Sequence, residues 1–148
     1  MSHSRTLPIA LLLSAVIVPS AQAGGDAEHG KTLFGRCATC HTTTAQNKIG
    51  PGLAGVFGRL AGAAPNFHYS KAMIGYAKRW DDQTLDSYLA APAKAVPGTA
   101  MLIAVPSASD RADIIAYLKT IGAQYISMIA VKFIEIIVSD IPVSRSAK

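Results

Sequence analysis

The chain has 148 residues, the length of one domain, with 50% apolar and only 16% charged residues. Its formal charge of +5 is spread out without a lysine run, which argues against a nucleic-acid binder and leaves a modest field toward an acidic partner. The apolar excess lies at the two ends. Without residues 1–23, whose one charged side chain is Arg5, the balance is 13 basic to 9 acidic residues, or +4.

Residues 1–23 read as a cleaved secretory signal. His3 and Arg5 form a short positive region, Leu7 to Val18 is apolar, and Ala21-Gln22-Ala23 is a small-residue cleavage pattern. The apolar stretch is too short to cross a bilayer core, which takes about 20 helical residues. The mature chain is then expected to start at Gly24, in the periplasm.

From Asp26 the sequence predicts a helix, with Asp26 as its cap, Glu28 in its positive first turn, and Leu33 and Phe34 on an apolar face. Gly30 inside it costs about 1 kcal/mol against alanine. Two readings of that glycine stay open: a close crossing by another helix, or an ordinary glycine near a helix start. The helix runs into Cys37-Ala38-Thr39-Cys40-His41, the chain's only two cysteines followed at once by an imidazole.

That spacing reads as covalent attachment of a c-type haem, with each thiol able to add across a vinyl group and His41 placed to bind the iron. Three other readings of Cys-x-x-Cys fit less well. A thioredoxin-like pair goes with a βαβ pattern that is not visible here. A structural zinc site needs further cysteines or a Cys/His set. A plain disulfide has no use for the adjoining histidine.

Residues 42–64 are rich in glycine and lose periodicity, so they read as loop. Within them, Gly50-Pro51-Gly52-Leu53 holds a rigid carbonyl at Pro51 that could accept the ring N–H of His41; read locally, it is an ordinary turn proline. Ser70 is placed to cap a helix over residues 71–76, and Asp81 another over 82–90, with Leu85, Tyr88 and Leu89 inward and Pro92 beyond its end. The stretch 92–106, with three prolines, is expected to be irregular. Ser107 to Asp110 forms a capping pattern for a last helix carrying Ile114, Ile115, Leu118 and Ile121 at helical spacing, which Gly122 is expected to end.

Taken together, these segments resemble the class I c-type cytochromes over residues 25–122. The matching pieces run in the family's order: Gly30-Lys31-x-Leu33-Phe34, the Cys37 to His41 motif, Gly50-Pro51-x-Leu53-x-Gly55 through Gly58-Arg59, Phe67-x-Tyr69-Ser70, Trp80, Leu85-x-x-Tyr88-Leu89-x-x-Pro92, Val96-Pro97-Gly98-Thr99-x-Met101, and Arg111 through Leu118. The resemblance implies an all-α cytochrome c fold, four to five helices and long loops wrapped around one covalently bound haem c and its iron. It implies attachment at Cys37 and Cys40, axial ligation by His41 and Met101, and Pro51 accepting from His41. Arg59, Tyr69 and Trp80 would surround the haem propionates, and Tyr88 and Thr99 would support the Met101 side.

The implied function is soluble one-electron transfer, without enzyme chemistry, between membrane-bound respiratory or photosynthetic complexes. The implied partners are a cytochrome c reductase-type donor and an oxidase, peroxidase or photosynthetic reaction centre as acceptor, met by a monomer. The alternative is a haem protein with an open distal site, a peroxidase or diatomic-gas sensor, which applies if Met101 is not a ligand. Four positions depart from the family's habit: Ala100 in place of lysine, Ile103 in place of an aromatic, Val105 in place of glycine, and Asn66 in place of glycine. Lys31, Lys48, Lys71 and Lys94 read as solvated singly and as a docking rim together; His29 and His68 read as surface residues, and Met73 as packing.

Residues 123–148 form an apolar extension of unassigned role, Tyr125 to Val138 interrupted by Lys132 and Glu135. Its β-branched residues fit a strand or an interfacial helix. It is expected to pack on the domain surface or touch a membrane weakly, and to be dispensable for electron transfer, since every expected ligand precedes it.

Overall fold

The computed structural model describes residues 24–139, with side chains through residue 136. The expected signal segment lies outside the described residues. Six helices follow one another: α1 (Ala27–Leu33), α2 (Gly35–Ala38), α3 (Lys71–Tyr76), α4 (Asp82–Ala90), α5 (Pro92–Ala95) and α6 (Ala108–Ser139). The described residues form no strand, only an isolated antiparallel bridge between Leu60 and Arg79.

Local chemistry starts the helices where the sequence predicts. The Asp26 carboxylate accepts from the backbone N–H of Glu28 and His29. Ser70 accepts from Met73 N, and Asp81 forms a full capping box with Thr84. Two expectations are corrected. The stretch after Pro92 is not wholly irregular: proline at the first helical position, where no N–H is needed, starts the four-residue α5. Gly122 does not end the last helix, which runs unbroken to Ser139. A glycine stops a helix by turning left-handed, and Gly122 is absent from the left-handed glycines Gly55, Gly58, Gly62 and Gly98. A Cβ at Gly122 would stand 3.7 Å from the Gly55 Cα, an ordinary van der Waals contact.

The two ends of the domain meet where α1 crosses α6. A Cβ at Gly30 would fall on the backbone of Asp113, and one at Gly25 on that of Ala112. The close-crossing reading of Gly30 therefore holds. Asp113 fastens the crossing, its carboxylate accepting from Asp26 N at 2.7 Å and from His29 Nδ1 at 2.7 Å. The His29 ring, expected to be an uncommitted surface group, is thus an interhelical tie. Phe34 and Tyr117 add an edge-on ring contact at 5.4 Å.

A second set of ties holds α4 to α6. Arg111 Nε donates to Asp86 at 2.6 Å and its Nη1 to the Pro106 carbonyl at 2.7 Å, while Lys119 pairs with Asp82 at 2.6 Å. Around these helices the loop 39–70 is stitched by Asn47, whose amide donates to the Pro65 and Asn66 carbonyls and accepts from Gly52 N. Asn66 takes φ +56°, the left-handed conformation its side chain tolerates better than most.

Beyond Gly122 the expected surface packing is not found. Residues 123–136 are exposed, and Tyr125 approaches the domain beside Gly55. A continuous helix is stiff, and at 1.5 Å per residue it carries its last residues about 25 Å past Gly122 instead of folding back.

Candidate functional site

The core residues do not close on one another. They form a shell around a largely apolar cavity of about 400 Å³, walled by Phe34, Met73, Leu85, Leu89, Ile114 and Leu118. All ten residues singled out in the sequence (Cys37, Cys40, His41, Pro51, Arg59, Tyr69, Trp80, Tyr88, Thr99 and Met101) line this one cavity.

Cys37 sits in α2 and Cys40 just past its end, where the Cys37 carbonyl accepts from Cys40 N at 3.1 Å and His41 N at 2.9 Å. This tight turn presents both thiols and the imidazole to the cavity. The thiols are not joined to each other. Burial pushes the Cys37 thiol up, so it rests protonated as a small apolar group. Among the described residues no cluster of three or more His, Cys, Asp or Glu side chains is arranged for a metal, which leaves the zinc reading without partners.

The His41 ring is fixed from two sides. Its Nδ1 lies 2.8 Å from the Pro51 carbonyl oxygen. A carbonyl can only accept, so Nδ1 carries the proton and Nε2 keeps its lone pair. The local reading of Pro51 as a mere turn residue is therefore too weak. Behind the ring lies Gly50, where a Cβ would strike the ring atoms directly, with Nε2 2.9 Å away. The sequence signal for this seat was only a glycine next to Pro51, and its use became visible once the loop folded over the ring.

Met101 is half-buried on a segment held by hydroxyls. Tyr88 and Thr99 share a hydrogen bond of 2.7 Å between their oxygens, and Thr99 Oγ1 also accepts from Met101 N at 3.4 Å. Burial raises the Tyr88 phenol, which keeps it neutral. Val105, at the place where glycine was expected from the family pattern, is among the most buried side chains and its N–H donates to Leu89 at 2.8 Å.

Arg59 brings a half-buried positive charge to the site. Its Nη1 donates to the Ala54 carbonyl at 3.0 Å and its Nη2 to that of Gly52 at 3.1 Å. Its Nε is buried with no hydrogen-bond partner. A buried donor of a cation without an acceptor is costly, so this atom calls for an anion in the cavity. Trp80 lies beside it in the chain pairing, its N–H donating to the Arg59 carbonyl at 2.9 Å, and its ring packs between Tyr76 and Tyr88. Tyr69, pushed up by burial, accepts from Ala64 N at 3.3 Å and keeps its own O–H to give. Two thiols, an oriented imidazole, a thioether, apolar walls and one unanswered guanidinium N–H fit a flat apolar group bearing carboxylates and a metal.

The rim differs from a basic collar. Ile49, Leu102 and Ile103 line the cavity yet are 78%, 74% and 58% exposed. Lys48, expected to be solvated, donates its Nζ to the Ala38 carbonyl at 3.0 Å and so closes α2. The mouth is largely apolar, with the exposed side chains of Arg36 and His68 also on its lining.

The chain is similar to known proteins of one family. The sequence profile of the cytochrome c family matches residues 27–122. The chain is 42% identical over 108 residues to cytochrome c-type cyt cy of Rhodobacter capsulatus, a match covering 72% of this chain but only 54%, about half, of that protein. It is 40% identical to cytochrome c2 of Rhodomicrobium vannielii over 120 residues, covering 78% of this chain and 96% of that one. Cytochrome cH from Methylobacterium extorquens shares the fold with a TM-score of 0.63 at 41% identity, over 65% of this chain and 99% of that structure.

Proposed function

This chain belongs to the cytochrome c family and carries one covalently bound haem c, and we propose that it is a one-electron carrier with His41 and Met101 as the axial ligands of the iron. The observation that carries the reading is the fixed His41 ring, its Nδ1–H held by Pro51, in the same cavity as Met101. When bound, the haem supplies a reversible iron(III)/iron(II) couple. Cys37 and Cys40 would hold it through thioethers. The Pro51 bond raises the basicity of the His41 Nε2 and stops the ring from turning. Met101 offers a soft thioether, which favours the reduced iron, and the Tyr88–Thr99 pair keeps its segment in place.

Arg59, Tyr69 and Trp80 would meet the propionates, with the free Arg59 Nε as the donor awaiting them. A buried arginine–carboxylate bond of this kind is charge-assisted and short, so it would set the orientation as well as balance charge. If His41 and Met101 both hold the iron, they would leave no open position for a substrate, which would separate this reading from a peroxidase or a gas sensor. The partners are redox proteins of membrane-bound respiratory or photosynthetic chains, met in the periplasm, where residues 1–23 would deliver the chain. They would approach the exposed edge framed by Ile49, Leu102 and Ile103.

The test is the optical spectrum of the oxidised and reduced protein. Low-spin spectra in both states, a sulfur-to-iron charge-transfer band in the oxidised form and no rapid carbon monoxide binding are expected. Met101→Ala should lose that band, bind carbon monoxide and show a lower potential. A wild-type protein that is high-spin and binds carbon monoxide at once would replace this reading with the open-site one.

A further inference from the structure

The helical extension after Gly122 has a pattern that says what covers it. At about 100° per residue, Gln124, Lys132 and Glu135 fall within one sector of about 80° along the helix, with Met128 among them. The other 280° or so holds Tyr125, Ile126, Ile129, Val131, Phe133 and Ile134 among other apolar and small residues, and these six are 37% to 69% exposed.

We propose that this segment, residues 123–139, is an interfacial membrane anchor that lies in a lipid surface with the Gln124–Lys132–Glu135 stripe facing the headgroups. The width of the apolar arc decides against a second copy of the chain. A helix packed on one neighbour hides a stripe of about 100° and would leave most of this arc in water.

Length and charge decide against a full crossing. The stretch Ala108–Ile136 is long and apolar enough to span a bilayer. Its first half, however, is committed to the haem domain, where Ile114, Ile115, Leu118 and Ile121 are buried. The described helix beyond Gly122 measures about 25 Å, short of a hydrocarbon core of about 30 Å. Lys132 and Glu135 lie in the middle of that stretch, where two charges cost more than the apolar side chains return. In the interface the same charges reach water, with the lysine stem lying along the lipid. The balance of +4 in the chain after residue 23 adds attraction to anionic headgroups. The inference rests on the helix alone and stands apart from the axial ligation.

The experiment floats the full-length holoprotein with vesicles of phosphatidylcholine, and of phosphatidylcholine mixed with phosphatidylglycerol, at low and high salt. Binding to both is expected, stronger on the mixed vesicles and retained in high salt. Ile126 and Phe133 lie opposite the polar stripe and are exposed, so I126Q/F133Q should keep its haem spectrum. It should partition about 100-fold less, about tenfold for each lost side chain. Three results would overturn the proposal: no flotation, flotation abolished by salt and unchanged in the double variant, or no flotation with a lipid-free oligomer that the variant disperses. The last would assign the arc to a second copy.

Discussion

Gly30→Ala is the sharpest probe of the crossing on which the domain closes. Two effects oppose each other. Alanine is the better helix former by about 1 kcal/mol, so on an exposed helix the change would stabilise. Here the new methyl would land on the Asp113 carbonyl, backbone that cannot rotate away. Forcing an extra methyl into a close-packed contact costs about 1–3 kcal/mol. Opening the crossing also stretches the two bonds to the Asp113 carboxylate, each worth about 1 kcal/mol. The steric side wins, for a net loss of about 1–3 kcal/mol. In a domain near 100 residues each kcal/mol moves the melting temperature by about 4–8 °C, so a fall of about 5–20 °C is expected. Thermal melts of the holoprotein followed by far-UV dichroism would measure it. Gly75→Ala is the control: it lies in α3 with open space where the Cβ would go, and it should hold or raise the melting temperature. A Gly30→Ala protein that melts with or above wild type would refute the close approach of α1 to α6.

Three further outcomes follow from the geometry. Asp113 raises His29 from its ordinary value of 6.5, so the tie contributes fully below about pH 6.5 and is lost as pH rises through the folded value; melting temperature should decline across that range, and His29→Gln should flatten it. The same pair holds Asp113 below its ordinary 3.8, so its contribution persists above that value and fades as pH falls through the lowered one. Tyr88→Phe removes the 2.7 Å bond to Thr99 at a cost of about 1 kcal/mol, and the sulfur–iron band should disappear on heating before helicity does. Ala100→Lys places a cation beside the apolar rim and should raise the rate with an acidic redox partner a few fold at low salt, with the gain vanishing at high salt.

What the sequence made legible was the chemistry that acts over a few residues. Asp26, Ser70 and Asp81 each cap the helix that follows them, because a side-chain oxygen and an N–H two or three residues on need no distant help. Cys37, Cys40 and His41 are likewise set by one turn of chain. Gly30 could not be decided locally, since its meaning lies in Asp113, 83 positions away. Gly50 was opaque for the same reason: it is small because the His41 ring packs against it once the loop has folded. The β-branched tail misleads in its own way. Isoleucine and valine disfavour an isolated helix slightly, but this segment continues one already nucleated by α6, and extension costs far less than initiation.

The cavity also explains why so many of the core residues are site residues. Phe34, Met73, Trp80, Leu85, Tyr88, Leu89, Ile114 and Leu118 belong both to the buried cluster and to the cavity wall. These side chains face a flat apolar space and not one another, and the haem that Cys37 and Cys40 would hold completes the core. Folding and cofactor retention become one problem, with one set of side chains answering both. The polar exceptions in the wall follow the same logic: Arg59 keeps two of its donors for the loop at Gly52 and Ala54 and leaves Nε for what fills the shell. That division would let one residue fix the loop and meet a carboxylate of the cofactor, which ties the loop's shape to the cofactor's charge.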